Sequence, residues 1–303
     1  MDIDLSVDIS GIRLLTPFLT ASGTAGYGED FLRPPPSSLG GFITKGISLQ
    51  PRKGNPPPRI VETPCGFLNA IGLENIGLNA FIEKILPVIE EVKLPFIVNI
   101  FGESEEEICA VAKRLGDIQR VNALELNVSC PNVKMGGISF GKNKDLLSSL
   151  VERIKQVIGD KPLWVKLTPN VTDIGEYAKA VENAGADALT VANSYPALSV
   201  NCEKECFELG NVTGGLTGPA IKPLTLNAVW KVVQATSLPV IASGGIFNGN
   251  DALEYFLIGA KAVQIGTAAL VDPDIFNEIF LYVTNFLAGK GITSLNNWIG
   301  RLI

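Results

Sequence analysis

The 303-residue sequence contains no histidine and only five cysteines. Without histidine, most zinc sites, Ser-His-Asp triads and Cys-His pairs are excluded. Any proton transfer must therefore use a Cys, Lys, Asp, Glu or Tyr side chain. The five cysteines are too few and too scattered to form a disulfide framework in a chain of this length.

The sequence also lacks a basic run, a signal peptide and an apolar stretch of membrane-spanning length. The net charge of −6 and the pI near 4.9 argue against a nucleic-acid surface. The longest stretch without a charged residue, 232–250, is interrupted by Gly, Pro, Ser and Asn. The N-terminus, MDIDLSVDIS, has neither a basic nor an apolar segment. We expect a cytoplasmic protein that binds neither nucleic acid nor membrane.

Short apolar runs alternate with segments of helical spacing along the whole chain. Hydrophobic residues make up 46% of the sequence and charged residues 18%, which suits a large buried core. Strands that are apolar throughout indicate a parallel sheet covered on both faces. Eight such strands predict an α/β fold, a (β/α)8 TIM barrel with its active site at the C-terminal mouth, formed by residues 1–303 as one domain. The predicted strands are 17–21, 41–45, 95–100, 123–127, 163–167, 188–193, 239–243 and 262–266.

Helices are predicted between most of these strands, and three of them follow a capping residue. Ser104, Asp173 and Asn250 each precede an amphipathic segment, as N-cap residues do. The predicted helices are 104–115, 145–158, 173–184, 223–235 and 250–257. Two connections, about 46–75 and 194–217, are too long for simple loops, and we expect both to lie over the C-terminal mouth.

Polar residues stand at the ends of successive predicted strands. Any one of them is explained by a cap or a rim position, but together they indicate a ligand site. Uncharged amides suit a heterocycle that bears carbonyl and imide groups. The residues are Lys45, Asn99, Asn127, Lys166, Asn193 and Ser194.

Glycines follow the last two strands, at Gly244–Gly245 and at Gly266 before Thr267. Such turns either only connect a strand to a helix tightly, or let backbone N–H groups converge on an anion. The second interpretation predicts a phosphate-bearing ligand, because phosphate binds after strands seven and eight of many such barrels. The GGLTG segment at Gly214–Gly218 could add a third wall.

Cys130 lies three residues after the fourth predicted strand, in the segment ELNVSCPNVKMGG. A single cysteine is often only a small buried residue. In a polar loop at the active face of a protein without histidine, Cys130 is the leading candidate for a catalytic base, which requires its thiolate. Cys202 and Cys206 form a CxxxC pair that has no further cysteine pair or histidine to complete a metal site.

Several motifs in order resemble those of the dihydroorotate dehydrogenases, in particular the catalytic FMN subunit of the NAD-linked class 1B. The resemblance covers essentially the whole chain. The motifs are ASG at 21–23, TKG at 44–46, NAIGLEN at 69–75, ELNVSCPNVKMGG at 125–137, VKLTPN at 165–170, NVTGGLTGPAIKPL at 211–224, ASGGI at 242–246 and IGTA at 265–268.

The resemblance implies an FMN site and an orotate site at the barrel mouth. The implied FMN contacts are Ser22, Lys45, Gly46, Asn99, Asn127, Lys166, Ala192, Gly218, Gly244, Gly245, Gly266 and Thr267. The implied orotate contacts are Lys45, Asn69, Ala70, Ile71, Gly72, Leu73, Asn127, Asn193 and Ser194.

The resemblance also implies the reaction, which belongs to the biosynthesis of pyrimidines. Cys130 would take a proton from C5 of dihydroorotate while C6 passes hydride to N5 of FMN. Lys166 would stabilise the negative charge of reduced flavin near N1. Lys45 would pair with the carboxylate of the substrate.

In class 1B, a separate subunit that carries FAD and a [2Fe–2S] cluster passes the electrons to NAD⁺. The resemblance therefore implies a heterotetramer of two catalytic and two electron-transfer subunits, with no metal on this chain. Segment 195–210 is less similar to the family than its flanks are, so the CxxxC pair within it has no assigned role.

Three other functions stay open. A class 1A enzyme would use fumarate at the same FMN site without a partner. A relative of dihydropyrimidine dehydrogenase would act on uracil or thymine, although Lys45 favours a substrate with a carboxylate. A flavin-free, phosphate-binding isomerase or lyase would share the glycine turns but would purify colourless.

Overall fold

The computed structural model describes residues 3–29, 35–128 and 140–303. The strands in these ranges are β1 Val7–Ile9, β2 Ile12–Leu14, β3 Phe18–Thr20, β4 Phe42–Ile43, β5 Ile60–Thr63, β6 Gly66–Asn69, β7 Phe96–Ile100, β8 Ala123–Asn127, β9 Leu163–Leu167, β10 Ala188–Val191, β11 Tyr195–Leu198, β12 Val200–Asn201, β13 Cys206–Phe207, β14 Thr213–Thr217, β15 Val240–Ser243 and β16 Ala262–Ile265.

The α-helices in the same ranges enclose the larger sheet. They are α1 Leu78–Ala80, α2 Leu86–Ile89, α3 Glu105–Gly116, α4 Lys144–Ile158, α5 Ile174–Asn183, α6 Lys222–Ala235, α7 Gly249–Leu257, α8 Thr267–Val271 and α9 Ile275–Gly289. A π-helical turn, Phe81–Ile85, joins α1 to α2. No helix in the described ranges is long and apolar enough to cross a membrane.

Eight parallel strands form one sheet in the order β3-β16-β15-β10-β9-β8-β7-β4. The two edges meet at a parallel bridge between Leu19 and Gly41, so the sheet closes on itself. The predicted (β/α)8 barrel is confirmed, and all eight predicted strands have bounds within two residues of the observed ones. They were predictable because their residues are buried on both faces, as in β7 and β9.

The five predicted helices are present, and two of the three predicted N-caps are confirmed. The Ser104 hydroxyl accepts a hydrogen bond from Glu107 N, and the Asp173 carboxylate accepts one from Gly175 N. The Asn250 cap was wrong, because Asn248 caps α7. Asn248 forms a reciprocal capping box with Asp251, which satisfies two backbone N–H groups and begins the helix earlier.

A second sheet, which the sequence pattern did not predict, combines the two long connections. Its four antiparallel strands have the order β11-β14-β6-β5, and Leu68 of β6 pairs with Leu216 of β14. A small apolar cluster of Leu68, Ala70 and Leu209 packs at this sheet. Short strands with half-exposed residues and many prolines and glycines carry little periodic signal. The sheet contributes a wall above the barrel.

Candidate functional site at the mouth of the barrel

A cavity of about 290 Å³ opens at the C-terminal ends of the barrel strands. Both long connections contribute to its wall, as the sequence predicted, through residues such as Phe67 and Thr217. Of the residues predicted to contact a cofactor or a substrate, twelve line it: Ser22, Asn69, Ile71, Lys166, Ala192, Asn193, Ser194, Gly218, Gly244, Gly245, Gly266 and Thr267.

The other predicted residues are not among those that line the cavity. Asn99 is buried in β7, and its Oδ1 has no hydrogen-bond partner among the described residues. A Cβ atom on Gly46 would lie 3.0 Å from that oxygen. Asn127 ends β8 and accepts a hydrogen bond from Asn193 Nδ2 at 3.3 Å. The remaining ones, in the loops after β4 and β6, are Lys45, Ala70, Gly72 and Leu73.

Cys130 lies outside the described residues, as does the rest of segment 129–139. Its assignment as the base is therefore a prediction from the sequence. The described residues on either side, Val128 and Phe140, are buried next to the barrel core.

The glycine turns bring backbone very close to backbone at one side of the cavity. Gly245 has φ +72°, and a Cβ there would lie 2.6 Å from Lys222 Cα. Gly218 has φ +101°, and a Cβ there would lie 2.5 Å from Gly66 Cα. Only glycine is compatible with such a positive φ at this distance. Beside them, α8 begins at Thr267, where first-turn N–H groups have no intrahelical acceptor and favour an anion.

Two side chains lie behind this turn, and one of them bonds it directly. The Tyr255 hydroxyl donates to Gly244 O at 2.7 Å, and burial raises the pKa of Tyr255, which keeps the donor protonated. The Lys222 ammonium lies 2.7 Å from Asp251 and 3.0 Å from Glu254. Burial would lower the pKa of Lys222, but the hydrogen bonds to the two carboxylates raise it. Its charge is thus neutralised within the protein.

A buried polar network reaches the cavity wall at Lys166 and Gln264. Lys166 Nζ donates to Gln264 Oε1 at 3.0 Å and lies 3.4 Å from Ser22 Oγ. Gln264 Nε2 donates to the Glu125 carboxylate, which also accepts from Thr190 Oγ1 at 2.8 Å. Burial lowers the pKa of Lys166, and the charge of Glu125 opposes that shift.

The sequence reasoning missed Glu125, Thr190 and Gln264. A signal was present, since each is a polar residue flanked by apolar ones inside a strand: ALELN, ALTV and AVQI. Lys166 in LWVKL follows the same pattern. Inward-pointing residues of such barrels form layers, so a polar residue in each strand predicts a polar layer.

Amide and hydroxyl groups line the side nearest the second sheet. Asn69 Nδ2 donates to Gly215 O at 3.1 Å, and Ser194 N donates to Asn193 Oδ1 at 2.8 Å. The sequence reasoning also missed an apolar part of the wall, formed by Ile60, Phe67, Ile221 and Leu270. A cavity with apolar surface and a few convergent amides suits a ring-bearing ligand.

The CxxxC pair lies away from this site, in the hairpin of β12 and β13. Cys202 and Cys206 are exposed and are not joined by a disulfide. Within the described residues, no group of three or more Cys, Asp or Glu side chains is arranged to hold a metal ion.

Comparisons with known proteins agree on one family. The family model of dihydroorotate dehydrogenase matches residues 4–287. The chain is 50% identical over 299 residues to the "Dihydroorotate dehydrogenase B (NAD(+)), catalytic subunit" of Trichlorobacter lovleyi, covering 98% of each chain. It is 49% identical over 300 residues to the protein of that name from Geobacter sulfurreducens, covering 99% of this chain and 98% of the other. Among solved structures, a dihydroorotate dehydrogenase of Eimeria tenella in complex with ferulenol is similar, with a TM-score of 0.83 and 26% identity, over 98% of this chain and 88% of the other.

Proposed function

The chain belongs to the dihydroorotate dehydrogenase family, and we propose that it oxidises (S)-dihydroorotate to orotate as the FMN-containing catalytic subunit of an NAD⁺-linked enzyme of pyrimidine biosynthesis. The observation that carries this proposal is the buried ammonium of Lys166 on the wall of a cavity otherwise lined by glycine turns, amides and apolar side chains. The printed names of relatives about half identical to this chain support the same substrate and acceptor.

The residues present fit FMN in two respects. The glycine turns and the start of α8 offer backbone N–H groups to a phosphate. The unpartnered, buried Oδ1 of Asn99 offers an acceptor to a ring that carries an N–H donor. FMN would be held by Ser22, Lys45, Gly46, Asn99, Asn127, Lys166, Ala192, Gly218, Gly244, Gly245, Gly266 and Thr267.

FMN, when bound, supplies the acceptor for the hydride that leaves C6 of dihydroorotate. Lys166 would hold a positive charge beside the ring, whose reduced form is negatively charged. Because the Lys166 side chain is only 4% exposed, water screens this interaction little. Lys166 would thereby favour the reduced over the oxidised cofactor.

The substrate would lie between the cofactor and the second sheet. Asn69 and Ser194 are on the cavity wall there, and Asn193 links it to Asn127. These amides match the donors and acceptors of a pyrimidine edge. Lys45 pairs with the orotate carboxylate, which separates orotate from uracil, and the loop Ala70, Ile71, Gly72 and Leu73 completes the site.

Cys130, in the loop after β8, removes the proton from C5 of dihydroorotate. The reasons come from the sequence: the chain has no histidine, and Cys130 stands three residues after a barrel strand, in a loop expected at the active face. The thiolate accepts the C5 proton as the C6–H bond breaks, and the electron pair of the C5–H bond forms the C5–C6 double bond of orotate.

The name "catalytic subunit" borne by the relatives implies a second subunit. We propose that this partner carries FAD and a [2Fe–2S] cluster, passes the electrons to NAD⁺, and forms a heterotetramer with two copies of this chain. Its contact on this chain is segment 195–210, whose β12–β13 hairpin presents exposed apolar side chains such as Val200 and Phe207.

The proposal is tested with the purified chain alone. It should be yellow, and anaerobic dihydroorotate should bleach its flavin absorption. Reoxidation of the flavin should be slow with fumarate and slow with NAD⁺. Addition of the partner subunit should make reoxidation by NAD⁺ rapid. Rapid reoxidation by fumarate alone would instead indicate a class 1A enzyme. Bleaching by dihydrouracil but not by dihydroorotate would overturn the substrate assignment, and a colourless protein would overturn the flavin assignment.

A further inference from the structure

A continuous line of hydrogen bonds joins a buried carboxylate to the ammonium on the cavity wall. Glu125, Gln264 and Lys166 are exposed by 0%, 1% and 4%, so water takes almost no part. Glu125 is the member farthest from the ligand, since it does not line the cavity whereas Gln264 and Lys166 do. A buried carboxylate of this kind is costly unless it is paired and hydrogen-bonded.

The hydrogen bonds satisfy Glu125 on both of its oxygens. Asn99 Nδ2 donates to Oε1 at 2.8 Å, and Thr190 Oγ1 and Gln264 Nε2 donate to Oε2. Two amide donors and one hydroxyl donor match the acceptor-only carboxylate form. Glu125 therefore brings a negative charge into the barrel without touching the ligand.

The carboxylate also decides which way the Gln264 amide points. Because a carboxylate only accepts, the Gln264 NH₂ group must face Glu125. Its carbonyl oxygen then faces Lys166, 3.0 Å from Nζ. A carbonyl oxygen in that position accepts a hydrogen bond from the ammonium. It has no N–H group to donate to the lone pair of a neutral amine. The polarity of the line thus runs in one direction, from carboxylate through amide to ammonium.

We propose that Glu125, through Gln264, is a positioning residue that keeps Lys166 protonated both before and after the bound cofactor is reduced. This inference rests on the proposed FMN site. Without Glu125 the amide is free to rotate, and Lys166 is left in an apolar barrel with no counter-charge. It would then bind its proton only when the cofactor gains negative charge.

Few groups on the packed strands compete for this role. Among the described residues, Glu125 on β8 is the charged residue whose Coulomb interaction raises the pKa of Lys166. The neighbouring side chains on β7, β10 and β16 are Asn99, Thr190 and Gln264, all uncharged. Ser22, 3.4 Å from Lys166 Nζ, is also uncharged.

The test is the pH dependence of the midpoint potential of bound FMN in the purified chain. Two-electron reduction that leaves a negative charge at N1 takes up one proton, so the wild-type potential should fall by about 30 mV per pH unit. In Glu125→Gln, Lys166 should take up a second proton with the same two electrons. The slope should then double to about 60 mV per pH unit. An unchanged slope in Glu125→Gln overturns the inference.

Two further variants separate charge from packing. Thr190→Val removes the hydrogen bond that Thr190 Oγ1 donates to Glu125 and the longer one, 3.3 Å, that it accepts from Gln264 Nε2, but it removes no charge. Its slope should therefore equal that of the wild type. A doubled slope in Thr190→Val would show that packing is responsible and would overturn the inference. Gln264→Met breaks the line at its centre and should double the slope as Glu125→Gln does. If Glu125→Gln does not fold, Gln264→Met provides the test instead. An unchanged slope in Gln264→Met overturns the inference.

The wild-type protein separates this inference from the function on which it rests. Absence of FMN, or no bleaching by dihydroorotate, contradicts the proposed function and is seen before any variant is made. A different result contradicts only the role of Glu125: FMN content and bleaching are normal, and the slope is the same in the wild type, Glu125→Gln and Gln264→Met.

Discussion

Gly245 and Lys222 pack so closely that a Cβ on Gly245 would lie 2.6 Å from the Cα, Cβ and N atoms of Lys222. The same lysine extends away to Asp251 and Glu254, which neutralise its ammonium. The turn after β15 is therefore placed against the beginning of α6 by backbone contact, and the anion site depends on N–H groups and not on that lysine.

Gly245→Ala should weaken FMN binding at least about tenfold, because the added methyl must push the turn away from Lys222. The dissociation constant is measured from FMN fluorescence as apoprotein is added. Gly291→Ala is the matched control: Gly291 has a similar φ of +69°, but no atom lies within 4 Å of its Cβ position. It should lose about 1–2 kcal/mol of stability and keep its FMN affinity. Equal FMN affinity in Gly245→Ala and Gly291→Ala would contradict the role of the turn.

Tyr255→Phe should weaken FMN binding about three- to tenfold, since the Gly244 carbonyl loses a buried donor at 2.7 Å. The free energy of unfolding should fall by about 1–2 kcal/mol. Because burial raises the pKa of Tyr255, neither effect should change across neutral pH. Tyr282→Phe, at a half-exposed tyrosine of α9, should alter neither quantity. Unchanged FMN affinity in Tyr255→Phe would show that the turn holds its shape unaided.

Lys45→Met should raise the dissociation constant of orotate by about 10- to 100-fold, the value of one charge-assisted hydrogen bond. Titration of orotate, followed by the change in flavin absorption, measures it. Binding of uracil, which has no carboxylate, should be unaffected. Lys53→Met, at an exposed lysine in the loop before β5, provides the control. If orotate binds Lys45→Met as tightly as wild type, the carboxylate is recognised elsewhere.

Cys130→Ala should retain FMN and bind orotate but reduce FMN with dihydroorotate at least about 100-fold more slowly, because a general base contributes that much or more. Stopped-flow measurement of flavin bleaching under anaerobic conditions gives the rate. Cys109→Ala, at a half-buried cysteine on α3, should bleach normally. Near-normal bleaching in Cys130→Ala would remove Cys130 from the mechanism.

Glu182 provides a pH-dependent contribution to stability. Burial would raise the pKa of its carboxyl, but hydrogen bonds from Ser237 and Thr236 lower it below 4.5. The stabilisation is therefore complete above the unfolded-state pKa and is lost as pH falls through the lower folded-state pKa. Glu182→Gln should cost at most about 1 kcal/mol at neutral pH and nothing in strong acid. Urea unfolding of apoprotein at several pH values measures the difference, with Glu152→Gln at an exposed position as control. A difference that persists unchanged into acid would contradict this account.

The barrel could be predicted because its strands are short, apolar throughout and regularly spaced. All five residues of β7 and of β9 are buried, which is the pattern of a covered parallel sheet. The second sheet could not be predicted in this way. Its strands β5 and β11 alternate between half-buried and exposed residues. The pairing that joins the two long connections, β6 with β14, is between segments far apart in the sequence.

Part of the candidate site could also be predicted from the sequence. Polar residues at strand ends and glycine turns located part of the cavity wall, because the fold places those ends together. Glu125 and Gln264 escaped because each stands inside a strand and not at its end, and the polar layer that joins them becomes visible only when the strands are aligned in a barrel. Tyr255 escaped because its contact with Gly244 O joins a helix to a loop that periodicity does not relate.

The pairing of β6 with β14 has a consequence for how the protein folds. Leu68 and Leu216 are register partners, yet strands β7 to β10 of the barrel lie between them in the sequence. Contacts between such distant segments form late, because the intervening chain must first be brought to order. During synthesis, a nascent chain must extend beyond residue 217 before this pairing can begin. The barrel strands from β3 to β10 should therefore gain protection from hydrogen exchange before the wall of the cavity does, so that the newly made protein becomes able to retain a ligand only after most of its chain has folded.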